Sequence, residues 1–189
     1  IILHHTHGSH HIERFLSLNC APDLLVLKVF PNAKEITESV GAWHAVSKDL
    51  SVFREIPYYR PKDPNVLAIF PGDGTKPRTA ALFAHLTKWK CVSVDPELVP
   101  DAKYLAVKNL TVCPTKIENF IASNKVELMT SYTIFVCVHA HIDLDTLPWS
   151  LHTTVIAIPC CIKQQTWHGK QPDKVYEDPH IWSPERTVK

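Results

Sequence analysis

Glycine is scarce, with five in 189 residues against fifteen prolines. So few glycines exclude a chain built on flexible linkers, and so many prolines predict rigid loops and sharp element boundaries. Charge of one sign is also missing. A formal net charge of +1 excludes a global basic field for nucleic acid and an acidic excess of the disordered kind, while leaving room for a local basic patch. No apolar run approaches the roughly 20 residues that cross a bilayer, so no membrane partner is expected. The opening Ile1-Ile2-Leu3 has neither the basic region nor the cleavage site of a signal peptide. An initiator Met is absent, and the expectation is a fragment or processed product, with a larger polypeptide or assembly around it. The six cysteines, Cys20, Cys91, Cys113, Cys137, Cys160 and Cys161, lack the spacing of a small secreted disulfide framework. They predict buried free thiols in a reducing, cytoplasmic compartment.

What is there suffices for one domain with a real core. Residues 1–33 read as an N-terminal extension and 34–189 as the main domain. The start, His4-His5-Thr6-His7-Gly8-Ser9-His10-His11, offers imidazoles to a metal. No Cys or carboxylate lies among them, so a mobile terminus is preferred and no metal ligand is assigned. A short helix is expected over 12–18. The apolar run 24–30 fits a strand or a buried helical turn, and 34–50 has near-helical apolar spacing. Residues 52–59 fit a short extended piece.

From residue 66 the pattern turns regular. Apolar runs at 66–70, 91–94, 110–113, 133–138 and 154–158 read as buried strands, with helices at 78–88, 102–107 and 117–123 between them. A loop or short helix is expected over 144–151. Such alternation predicts an α/β fold, a doubly wound, mostly parallel Rossmann-like sheet with helices on both faces. In such sheets a ligand sits outside the carboxyl ends of the strands, at the switch point. Gly72, Asp73, Gly74, Asp95, His139, His141, Cys160 and Cys161 all fall at such ends.

The first loop, Phe70-Pro71-Gly72-Asp73-Gly74-Thr75, sets two glycines between strand and helix. Glycine permits a sharp turn and close approach of a ligand, although Gly-Asp-Gly also suits a plain turn. Asp95-Pro96 follows the second strand, about 20 residues on, where an acid accepts both hydroxyls of a ribose. The same Asp also suits a turn or a helix cap. The separation of the two features favours a nucleoside ligand. A P-loop is excluded, because no Gly-Lys-Ser/Thr follows the turn.

The run from Val66 to Pro96 resembles the first two motifs of the Rossmann-fold S-adenosylmethionine-dependent methyltransferases, and the likeness extends to Cys161. The resemblance implies S-adenosylmethionine as cofactor. Gly72 and Gly74 would line its methionine part, with Phe70, Pro71 and Asp73 beside them. Asp95 and Pro96 would hold the ribose, and Lys116, Ile117 and Glu118 would flank the adenine. It also implies an N-terminal helical cover at 34–50 and a sheet of seven strands; five are read here, and a sixth and seventh either lie in the tail, around Val175-Tyr176 and Thr187-Val188, or are absent. The chain departs from the family at Phe70, which stands where an acid is usual, and at Lys76, which replaces the third glycine.

His139 and His141, at the end of the fourth strand, are the candidate catalytic residues, because imidazole titrates near neutrality and serves as a general base. His139 also borders the cofactor position. Either histidine also suits a hydrogen bond to a neighbouring loop. With Cys160 and Cys161 they form a distant likeness to RNA-modifying members of the family, although buried structural thiols explain these cysteines better than zinc does. RNA is accordingly the favoured methyl acceptor, with Tyr58, Tyr59, Trp149, Trp167 and Trp182 available to stack bases. Two rivals remain: a non-catalytic methyltransferase-like scaffold, favoured by the departure at Phe70, and a different nucleotide-binding Rossmann enzyme.

Overall fold

Apolar runs bounded by turn residues settle into strands wherever a helix covers each face, and five of them do so here. The computed structural model describes residues 9–52, 60–159 and 166–189. The expected extended piece at 52–59 lies almost wholly outside them, as do Cys160 and Cys161.

Strands β1 (Val66–Pro71), β2 (Lys90–Val94), β3 (Leu110–Cys113), β4 (Tyr132–Val138) and β5 (Thr153–Ile158) form one sheet in the order β3-β2-β1-β4-β5. Every pairing in it is parallel. The fold is α/β and Rossmann-like, as the alternation predicts. The chain steps from β1 to β2 and β3 on one side, then returns to β4 on the other. The switch point is therefore the crevice between the carboxyl ends of β1 and β4.

The helices are α1 (His10–Leu16), α2 (Ala21–Val26), α3 (Ala33–Val52), α4 (Arg78–Leu86), α5 (Ala102–Leu105), α6 (Ile117–Ser123) and α7 (Lys125–Thr130). Side chains alternate across a strand, so β1 feeds two cores. Val66, Ala68 and Phe70 join one with Phe83 of α4, Trp43 of α3 and Trp89, while Leu67 and Ile69 join the other with Ile117 and Phe120 of α6. Burying a side chain such as Phe83, fully enclosed, is worth about 1.5–3 kcal/mol. Residues 9–33, which read as an extension, enter the first core through Phe15, Leu24 and Val29. The ambiguous run 24–30 begins in helix α2, with Lys28 left-handed at φ 54° just beyond it.

The polar tail, which has no clear pattern, folds back over α3. It carries β6 (Tyr176–Glu177) and β7 (Thr187–Val188), an antiparallel pair. Lys189, next in sequence after β7, exchanges both backbone hydrogen bonds with Ala157 of β5 at 2.9 and 3.0 Å, the antiparallel pattern. The tail thereby pins itself to the free edge of the parallel sheet. Two short strands thus occur near the places named for a sixth and a seventh, but they pair with each other in a separate two-stranded sheet, and the main sheet has five strands rather than seven.

Candidate functional site

The loop after β1 is held open by its glycines and closed from within by its acid. Gly72 has φ +67° and Gly74 φ +81°, both in the left-handed region that favours glycine. A Cβ on Gly72 would lie 2.9 Å from the Cα of Ala140. Glycine is needed there because the β4 loop packs directly on it. A Cβ on Gly74 would meet only the guanidinium of Arg78, also at 2.9 Å.

Asp73 is turned inward. Its carboxylate accepts hydrogen bonds from the backbone N–H groups of Thr79 at 2.9 Å and Ala80 at 3.1 Å, and from the Ser93 hydroxyl at 3.0 Å. It thus caps α4 from the loop, satisfying N–H groups that a helix start leaves open. Complete burial pushes its carboxyl above the ordinary value, and the donors offset this only in part. The consequence for ligands is direct. A protein carboxylate already fills the place at the head of α4 where a phosphate would dock.

Asp95 is half-buried just after β2, on the carboxyl edge of the sheet. One carboxylate oxygen accepts the N–H of Gly74 at 3.0 Å and the other the N–H of Glu97 at 2.8 Å. A carboxylate has about four lone-pair positions, so these bonds fix its orientation and leave capacity for a ligand. Pro96, exposed, continues the same edge. At the end of β3, Lys116 precedes α6 and Glu118 sits in its first turn, both exposed, while Ile117 turns into the core. Phe70 also turns away, its ring 5.0 Å from that of Phe83, and Pro71 is buried. The sequence-nominated residues thus divide. Gly72, Gly74, Asp95, Pro96, Lys116, Glu118 and His139 share the carboxyl edge. The side chains of Phe70, Asp73 and Ile117 support it from inside.

Beside this edge, at the switch point, lies a polar cavity of about 200 Å³ between α3, α4 and the end of β4. His139 enters it from β4 with a left-handed backbone, φ 52°, held by its N–H to the Ile158 carbonyl at 2.8 Å. Left-handed backbone in a non-glycine residue is uncommon and clusters at functional sites. Its Nε2 stands 3.5 Å from Oε1 of Glu38, whose side chain is only 3% exposed. Lys34 Nζ is 2.8 Å from the same oxygen and 3.5 Å from Glu35. Arg78 pairs with Glu35 and donates from Nε to the Asp73 carbonyl at 3.1 Å. Burial pulls the Lys34 ammonium down, but Glu38 and Glu35 outweigh it and hold it above its ordinary value. Ser39 and Thr79 join α3 to α4 across the wall at 3.0 Å. His141, by contrast, is exposed, so the structure brings His139 alone of the two histidines into the cavity.

Sequence reasoning missed Glu35 and Glu38. The available signal was the i,i+4 pair Lys34/Glu38, which shares one helix face. Elsewhere, burial pushes the thiols of Cys91 and Cys137 up to about 12, which marks them as inert core groups. Among the described residues no three His, Cys, Asp or Glu gather as metal ligands, and no helix is long and apolar enough to cross a membrane.

Comparison with protein-family models, with curated proteins and with solved structures finds no match for this chain.

Proposed function

We propose that the chain binds S-adenosylmethionine at the carboxyl edge of its sheet and transfers the methyl group to a nucleophile. The observation that carries this reading is the contrast between two acids, Asp73 in the loop after β1 and Asp95 after β2. Asp95 lies half-buried on the carboxyl edge, where it would accept the hydroxyls of a ribose, whereas Asp73 occupies the head of α4. A dinucleotide of the Rossmann type sets its pyrophosphate at that helix head, where Asp73 would repel it. A nucleoside without phosphates meets no such conflict. The placement of α3 beside the switch point also agrees with the resemblance.

The cofactor supplies an activated methyl group. On the protein side, Asp95 would accept the ribose hydroxyls, with Pro96, Lys116 and Glu118 beside the base. Gly72 supports the fold under Ala140, and Gly74 orients Asp95. His139 is placed to take the proton that an acceptor hydroxyl or amine releases, and Glu38 stands by to stabilise the imidazolium. Alignment of donor and acceptor supplies most of the rate gain.

RNA is the acceptor carried over from the resemblance. Trp149, about half exposed, pairs with Trp167 at 4.8 Å between ring centroids and offers a surface on which a base stacks. The unpaired Cys20, Cys91, Cys113 and Cys137 support a reducing, cytoplasmic compartment.

A second reading, a non-catalytic module, draws on two observations. Ala140 fills the space over Gly72, and a 200 Å³ cavity falls below the roughly 300 Å³ at which ligand sites begin. Calorimetric titration with S-adenosylmethionine, NAD and ATP separates the readings. Micromolar binding of S-adenosylmethionine, with NAD and ATP at least tenfold weaker, is expected. Preference for NAD or ATP would overturn the assignment. Binding without turnover on a panel of RNA and small-molecule acceptors would favour the non-catalytic module.

A further inference from the structure

The junction of α1, α3 and the tail is held by groups that titrate. Arg14 of α1 donates from Nη1 to Nδ1 of His44 on α3 at 2.7 Å. Arginine only donates, so His44 must accept, and the bond exists only while its imidazole is neutral. A proton on Nδ1 would abolish the acceptor and set two cations face to face. Two further bonds tie α1 to the tail. His11 Nε2 lies 2.7 Å from Oδ2 of Asp178, and the Ser9 hydroxyl donates to the His180 carbonyl at 2.6 Å. His11 is buried, and its Nδ1 has no hydrogen-bond partner among the described residues. A second proton on that ring would find no acceptor. The rings of His10, His180, His11 and His44 follow one another at 5.6, 5.7 and 5.8 Å between centroids, so a proton on one repels a proton on the next.

His44 faces Arg14 and His11 of α1, Asp178 of the tail and Lys48 of its own helix. Asp178 is the carboxylate of that set, and His11 already holds it. Glu13 stands 3.7 Å from His10, both of them exposed. Apolar anchorage of the tail is thin. Within the described residues 166–189, the buried hydrophobics are Ile181 and Val188. Segments with so few buried apolar contacts open at low free energy, and clustered imidazoles open interfaces on acidification. We propose that this junction is an acid-operated latch: protonation of His44 breaks its bond to Arg14, α1 shifts from α3, and residues 176–189 come away while the five-stranded sheet stays folded. Burial and the Arg14 charge hold His44 below its ordinary value, so the latch is shut at neutral pH and opens as pH falls below about 6.5. Opening bares the β5 edge at Ala157, which Lys189 covers through two backbone hydrogen bonds, and the face of α3 at Thr37 and Gly41. The latch does not depend on the methyl-transfer reading.

The test is amide hydrogen–deuterium exchange of the full chain at pH 7 and pH 5, followed by NMR and read as protection factors so that the intrinsic pH dependence of exchange cancels. The amides of Asp178, Ile181, Trp182 and Lys189 are bonded to Arg186, Asp178, Thr37 and Ala157. They should lose at least tenfold protection at pH 5, while the amides of β1 and β4 keep theirs. His44→Asn sets an amide oxygen near the place of Nδ1, where it accepts from Arg14 at either pH, and should abolish the loss. Arg14→Gln, whose amide both donates and accepts, should abolish it as well, and serves if His44→Asn does not fold. Tail protection that is unchanged at pH 5, or that falls together with β1 and β4, would overturn the proposal. So would variants that weaken the tail equally at both pH values and keep the tenfold acid loss, since His44 would then be a structural group only.

Discussion

Gly72 and Gly74 share a left-handed backbone but differ in what surrounds them, and that difference is measurable. At Gly72 an added methyl meets backbone, the Cα of Ala140, which cannot yield without moving the β4 loop. At Gly74 it meets the far end of Arg78, which can swing aside. Both substitutions incur the left-handed penalty of about 1–2 kcal/mol. Only Gly72→Ala adds a steric term, expected to bring its total to about 2–4 kcal/mol. Urea denaturation should therefore place Gly72→Ala at least 1 kcal/mol below Gly74→Ala, and equal losses would show that the β4 loop is not seated on Gly72. At this scale the sequence discloses residue types better than directions. The two glycines and Asp95 are legible because their spacing between strand and helix is a local signal. The inward turn of Asp73 is not, since it depends on donors at Thr79, Ala80 and Ser93. Lys34, Glu35 and Glu38 read as an ordinary solvated helix face until the sheet decides which side of α3 the switch point meets.

Among the elements, α1, α3 and the tail are fastened together by a histidine cluster. His11 Nε2 lies 2.7 Å from the Asp178 carboxylate, Arg14 donates to Nδ1 of His44 at 2.7 Å, and the Ser9 hydroxyl donates to the His180 carbonyl at 2.6 Å. The Trp182 N–H reaches Thr37 of α3 at 3.0 Å, and the Ile181 side chain lies over Gly41. Burial, then the charges of Arg14 and His11, hold the His44 imidazole below its ordinary value. Burial alone would raise Asp178, but its bonds to His11 and His180 prevail and hold it low. Both groups therefore stabilise the fold toward higher pH, in different windows. The His44 contribution is complete above about pH 6.5 and is lost as pH falls through its lowered folded value. That of Asp178 is complete above about pH 4 and is lost below it. Urea midpoints measured between pH 7 and 5 should decline in the wild type, and His44→Gln should flatten the decline. An unchanged slope would remove His44 from the pH response. The five long strands and α3 are legible because apolar runs and helical periodicity extend over several residues. Strands β6 and β7, with two residues each, carry no period, and the expectation of a seven-stranded sheet does not foresee that they pair with each other apart from it. The run at 24–30 is ambiguous because so short an apolar stretch fits a strand or a buried helical turn equally.

At the scale of the whole molecule, the order β3-β2-β1-β4-β5 makes one place special. There the chain reverses direction across the sheet, and the loop after β4 packs on the loop after β1 through Ala140 and Gly72. The mixed-charge cavity, His139 and the Gly74–Asp95 hydrogen bond all gather around it. That much follows from strand alternation, which fixes the parallel sheet and hence the edge where a ligand binds. The ligand itself does not follow from topology, since one fold hosts many chemistries. It rests on Asp95 at the carboxyl edge and Asp73 closing the helix head. The most direct measurement is an amide ¹⁵N NMR titration of the chain with S-adenosylhomocysteine. Binding as proposed should shift the resonances of residues 72–75, Asp95, Glu97 and 138–141 together, and Asp95→Asn should weaken the response at least tenfold. Saturating addition that leaves these amides unmoved in a folded sample, or that moves a different edge of the sheet, would contradict it.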